Sequence, residues 1–193
     1  MPIIRHEKVA SLNLDLKNYR TVHQPDEEHA INSLISIDPG RFWALMESLL
    51  DDGFSPTENI IVLDYAHQLI VKEGNRRIAS LKLILGINKG IDVPDNIQEK
   101  IKLLTKSWIK DNSSVPCAIY PSSESSLVEK LISRTHDKGE KAGRANWTAV
   151  ARARYGRDQN KQSEPGLDLL EKYLISGKNL SSQQAERWAG DYP

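Results

Sequence analysis

The sequence predicts an α+β fold, a sheet domain followed by a helical C-terminal part. Three observations point there. Short apolar runs of strand type mix with helical stripes as far as residue 137, a strand–turn–helix step stands at 71–85, and beyond Gly139 and Gly143 only helical spacing remains. With 193 residues, 39% hydrophobic and 27% charged, the chain is one ordinary soluble domain, or one domain with a small helical extension. The expected division is 1–137 and 138–193, with the seam near Asp137 to Arg144.

Taken in order, residues 9–16 alternate weakly through Val9, Leu12, Leu14 and Leu16 and run into Lys17-Asn18-Tyr19-Arg20, a first strand and its exit turn. Ala30, Ile31, Leu34 and Ile35 share one face of a helix over 27–37, which Asp38-Pro39-Gly40 ends. A second helix over 42–50 carries Phe42, Trp43, Leu45, Met46, Leu49 and Leu50 and stops at Gly53. Residues 60–63 form a short strand, Tyr65-Ala66-His67 turns the chain, and 68–72 return as its partner. A helix follows over 78–85, with Gly86 as its C-terminal cap. Pro94 precedes a single long helix, whose stripe of Ile97, Ile101, Leu104 and Trp108 places Trp108 in the core. A strand over 115–120 has Pro116 near its start, which favours a sheet edge or a strand beginning. Leu127, Val128, Leu131 and Ile132 define the next helix, and helices over 147–155, 165–175 and 181–189 complete the pattern. The tail Gly190-Asp191-Tyr192-Pro193 has no clear finish, compatible with a fragment of a longer protein.

The formal net charge is zero, so no global field draws the chain to nucleic acid or membrane. Cys117 is the single cysteine, which excludes an intrachain disulfide and a cysteine-cluster metal site. No apolar run approaches the ~20 residues of a membrane span; with no signal peptide in view, the expected location is cytoplasmic.

The chemistry concentrates at Glu73-Gly74-Asn75-Arg76-Arg77-Ile78-Ala79-Ser80. A strand ends, Gly74 permits a tight turn, and a helix begins whose first-turn amides and dipole favour an anion. Arg76 and Arg77 add forked donors suited to phosphate, and Ser80 adds a hydroxyl. Arginines in a first helical turn run against the dipole unless an anion sits there. A turn glycine beside a solvated basic patch gives the same short string. Glu73 reads either as a metal-coordinating or general-base carboxylate or as a solvated strand end.

This box resembles the phosphate-binding G-x-R-R-x-x-A box of the ParB/sulfiredoxin superfamily, and the flanks agree in order. Residues 14–20 look like that family's opening strand with its N-x-R turn, Asn18 and Arg20 matching and Tyr19 replacing proline. Residues 46–62 resemble the helix–glycine–strand step before the box, and 115–120 the V-P-V strand after it. The second motif of ParB-type clamps, E-N-x-x-R, has its nearest match from Glu129 to Arg134, one residue longer and without the asparagine. Sulfiredoxin's catalytic cysteine lies inside its box, where this chain has Asn75, so a sulfinic-acid reductase is not expected.

The resemblance implies a small mixed sheet with flanking helices that binds a nucleoside triphosphate, CTP or ATP, as a switch or hydrolase linked to DNA, plasmid or phage-defence processes. Gly74, Asn75, Arg76, Arg77, Ser80, Arg134 and Arg20 would hold phosphate, and Glu129 would take Mg2+. His136 would contact the triphosphate or carry a proton near neutral pH, though a histidine at a helix C-terminus equally caps carbonyls. Family members often dimerise on nucleotide, so a homodimer is expected. A second reading is a metal-dependent nuclease using Glu73, Glu129 and His136. A third is a non-catalytic DNA- or protein-interaction module whose basic segment 138–161 presents Arg144, Arg152, Arg154 and Arg157; of these, Arg154 and Arg157 share a helix face.

Overall fold

The computed structural model describes residues 1–137 and 149–176. The expected helix over 181–189, the first two residues of that over 147–155, and Arg144 lie outside the described residues. The α+β class holds: among the described residues a five-stranded mixed sheet accompanies eight α-helices.

The strands are β1 (Ile3–Lys8), β2 (Leu12–Leu14), β3 (Ile60–Tyr65), β4 (Gln68–Glu73) and β5 (Ser114–Pro121), in the spatial order β1-β5-β3-β4-β2. β3 and β4 form an antiparallel hairpin, β5 runs parallel to β3, β2 parallel to β4, and β1 antiparallel to β5. β1 was not expected. Ile3, Ile4, Arg5 and His6 are exposed, so no alternation betrays the strand; it exists because β5 supplies a ladder from Ile3↔Ile119 to Lys8↔Ser114. The expected first strand is correspondingly shorter, since Val9–Ser11 make a 3-10 turn before β2. β1 also moves β5 off the edge. Pro116 faces His6 across that ladder, and it stands one residue ahead of the ladder with β3, which opens at Ile60↔Cys117. The residue without an N–H therefore falls where that second pairing has not begun.

The helices are α1 (Glu27–Ile37), α2 (Pro39–Asp52), α3 (Asn75–Ile84), α4 (Asp95–Lys102), α5 (Lys106–Asn112), α6 (Ser125–Asp137), α7 (Ala149–Asn160) and α8 (Pro165–Ser176). α1 matches its expected span, with Asp26 capping it by accepting from the His29 amide at 2.9 Å. The long helix expected after Pro94 is instead two. Thr105 interrupts it, its hydroxyl accepting from the Trp108 amide at 3.1 Å to cap α5, and Trp108 is half-buried.

The chain divides into two compact units, one of Met1–Asp15 with Gly40–Val128, the other of Leu16–Pro39 with the described residues from Glu129 onward. Within the second unit, contacts distant in sequence tie the segment after β2 to the C-terminal helices. The Tyr19 and Tyr155 rings meet edge-on at 5.4 Å, and Gln159 donates to the Tyr19 hydroxyl at 3.0 Å.

The first unit carries the sheet and its core, where Leu12, Leu14, Phe42, Met46, Ile60, Leu63, Ile78 and Leu81 are fully buried. Each such side chain contributes about 1.5–3 kcal/mol by leaving water. α3 is the central helix: every residue from Ile78 to Ile84 is buried, Lys82 included, rather than one stripe. Its end is a Schellman cap, with Gly86 at φ +66°, the Gly86 amide on the Leu83 carbonyl and the Ile87 amide on that of Lys82.

Candidate functional site: the turn from β4 into α3

The hairpin of β3 and β4 delivers the turn. Its two-residue loop, Ala66-His67, has φ +51° and +71°, the left-handed pair that closes a tight hairpin, and the Asp64 carboxylate accepts from the His67 amide at 2.7 Å. At the other end the register shifts, Ile61 facing Glu73 but Val62 facing Val71, a bulge that leaves Lys72 without a β3 counterpart. Lys72 reaches β2's end instead, its Nζ lying 2.5 Å from Asp15 Oδ2 with both side chains largely buried.

Gly74 then turns the chain at φ +99°, a conformation that disfavours any side chain. A Cβ there would also collide with Ile60 Cδ1. α3 follows at once. The Ile78 amide makes the helical bond to the Gly74 carbonyl at 3.0 Å, and Gly74 has no side chain with which to cap the amides ahead of it.

Asn75, expected to hold phosphate, has another duty. Its Oδ1 accepts from the Asp15 amide and its Nδ2 donates to the Val71 carbonyl, both at 2.9 Å, so the buried side chain clasps β2 to β4. Ser80 is likewise withdrawn: it is fully buried in α3, and its hydroxyl finds no hydrogen-bond partner among the described residues. Sequence spacing reveals neither assignment, because Asp15 lies far from Asn75 along the chain and an all-round burial leaves no polar stripe to read.

Arg76 and Arg77 are half-buried in the first turn of α3. The Arg77 Nε donates to Glu58 Oε2 at 2.8 Å, while its Nη1 is buried without a hydrogen-bond partner. That Nη1 lies 3.6 Å from the position a Gly74 Cβ would take, so the guanidinium folds back over the glycine. Glu58, on the turn before β3, is a residue the sequence did not single out. Glu73 ends β4 half-buried.

The remaining candidates belong to the second unit. Arg20 is half-buried in a turn where its amide donates to Asn18 Oδ1 at 2.9 Å. Glu129 is buried in α6, Arg134 is exposed on the same helix, and His136 stands near that helix's end. Among the described residues no three His, Cys, Asp or Glu side chains gather as a metal site would need.

The arginines of α7 do share a face, but acids of α8 meet them. Arg154 is 4% exposed, donating from Nε to Glu171 at 2.8 Å, and Arg157 donates from Nη1 to the other Glu171 oxygen at 2.8 Å and to Asp168 at 3.2 Å. Burial pulls the Arg154 pKa down while Glu171 opposes it. Burial pushes Glu171 up, yet the hydrogen bonds and charges of Arg157 and Arg154 outweigh it and hold the carboxyl below its ordinary value. Arg154 thus braces two helices and is not presented to a nucleic-acid backbone, whereas Arg152 is exposed. Cys117 is buried in β5, and burial, then the charge of Glu7, pushes its thiol up to about 12, an inert setting. No helix among the described residues is long and apolar enough to cross a membrane. Compared with protein-family models and with curated proteins, the chain matches none.

Proposed function

We propose that the first unit is a nucleoside-triphosphate-binding domain, taking CTP or ATP at the turn from β4 into α3 and serving as a nucleotide switch or hydrolase. The observation that carries the reading is the opening of α3. A helix of ten residues starts directly after a left-handed glycine that offers no capping side chain, with two arginines in its first turn. Such a start combines amides that have no partner within the helix, the positive dipole end and fixed positive charge at one place. The resemblance of Gly74-Asn75-Arg76-Arg77 and its flanks to the ParB/sulfiredoxin box supports the same ligand class.

The roles narrow to particular atoms. Gly74 lets the backbone bend closely, Arg76 and Arg77 supply forked donors for phosphate oxygens, and Asn75 with Lys72 and Asp15 fixes the turn from beneath. Of the nearby carboxylates, Asp15 is engaged by Lys72 and Glu58 by Arg77, while Glu73 ends β4 directly before the turn.

Isothermal titration of the full chain against CTP, ATP, GTP and UTP tests the reading. The wild type binds at least one of them, and Arg76→Ala with Arg77→Ala weakens it about 10- to 100-fold, the worth of a charge-assisted hydrogen bond or two. Absence of binding by the wild type, or full binding by the double variant, rejects it.

A further inference from the structure

We infer that Glu58 is a built-in competitor for the anion at this turn, occupying Arg77 until a polyphosphate displaces it. This regulation rests on the triphosphate-binding reading above. The Arg77 guanidinium leaves the first turn of α3, passes over Gly74 and gives its Nε hydrogen to Glu58 Oε2 at 2.8 Å. The fork is incompletely used, since the buried Nη1 has no hydrogen-bond partner. A guanidinium carries five donors in fixed directions, so a ligand with several charged oxygens satisfies more of them than one carboxylate does.

The two partners are unequally committed. The Glu58 side chain is 41% exposed against 17% for Arg77. The carboxylate therefore regains hydration readily when it leaves, whereas the more buried arginine loses a counter-charge that water replaces less well. Glu58 also rides on a short turn, its own amide donating to the Ser55 carbonyl at 3.2 Å, rather than within a sheet or helix. An arriving polyphosphate repels Glu58 and takes over the donors of Arg77. The displacement is charge-selective: an anion with few charges does not dislodge Glu58, and a triphosphate does. Loading the site also frees the turn at 55–58, a local change that reports occupancy.

The test is titration of the full chain with inorganic tripolyphosphate and with orthophosphate, for wild type, Glu58→Gln, Arg77→Ala and the double variant, with Glu58→Ala as a second removal of the charge. Removing the carboxylate tightens tripolyphosphate about three- to tenfold, as expected for releasing a partly exposed ion pair and its like-charge repulsion. It raises the affinity for orthophosphate by a smaller factor, since an anion that does not displace Glu58 has less to regain, and both gains vanish when Arg77 is absent. If the wild type binds but the Glu58 variants bind equally or more weakly, or if the gain persists without Arg77, the role of Glu58 falls and the phosphate site stands. If neither wild type nor Glu58→Gln binds, both fall together.

Discussion

The side chain of Asn75 joins the Asp15 amide to the Val71 carbonyl, one hydrogen bond at each end and each 2.9 Å long. A single amide thus ties the end of β2 to β4 directly beneath the first turn of α3. Asn75→Ala leaves a buried donor and a buried acceptor unmet and costs about 2–4 kcal/mol. Asn75→Asp keeps the acceptor but turns a carboxylate oxygen toward Val71's carbonyl, and destabilises as well. Urea unfolding of the three proteins measures this; an alanine variant as stable as the parent would mean that water replaces both contacts.

Gly74 is constrained twice, by its backbone and by its neighbour. Gly74→Ala places a Cβ against Ile60 Cδ1 at a φ of +99°, and loses about 2–4 kcal/mol. Trimming the neighbour with Ile60→Val relieves the collision but not the backbone, so the double variant recovers part of the loss. Complete recovery would show that the left-handed conformation costs nothing there.

The hairpin loop holds two residues in a conformation better suited to others. Ala66 and His67 sit at φ +51° and +71°. Ala66→Asn with His67→Gly suits that turn and raises stability by about 1 kcal/mol, seen as a higher urea midpoint at unchanged slope. A lower midpoint would indicate that His67 has contacts worth more than the strain.

Glu171 links acid stability to the second unit. Its folded pKa lies below the ordinary 4.5, so its contribution is present above that value and is lost as pH falls through the folded pKa. Glu171→Gln leaves Arg154 buried without its counter-charge, costs about 3 kcal/mol at pH 7, and flattens the decline below pH 4.5. Unfolding monitored between pH 3 and 7 separates these effects. A variant that keeps the wild-type acid slope would assign that slope to other carboxylates.

The helix over 27–37 and the hairpin of 60–73 were legible because their signals are local: an apolar stripe after Asp26, and two short apolar runs about a turn. The face shared by Arg154 and Arg157 was equally legible from helical spacing. Their partner was not, since nothing along the sequence says that Glu171 of α8 lies against them. β1 escaped for the same reason: its pattern is exposed and charged, and its ladder lies far along the chain. At the candidate site the glycine and two arginines were visible as a string. Which of its polar residues faces outward and which clasps strands was decided by Asp15 and Glu58, neither of which the string contains.

The order β1-β5-β3-β4-β2 has a consequence for how the chain assembles during synthesis. Its hairpin and α3 are contiguous and can form while the ribosome is still at work, whereas the first strand must wait for residue 114 and beyond to emerge. β1 is thus made well before the strand it pairs with, so until β5 is delivered a waiting chaperone, or a neighbouring nascent chain, has access to it.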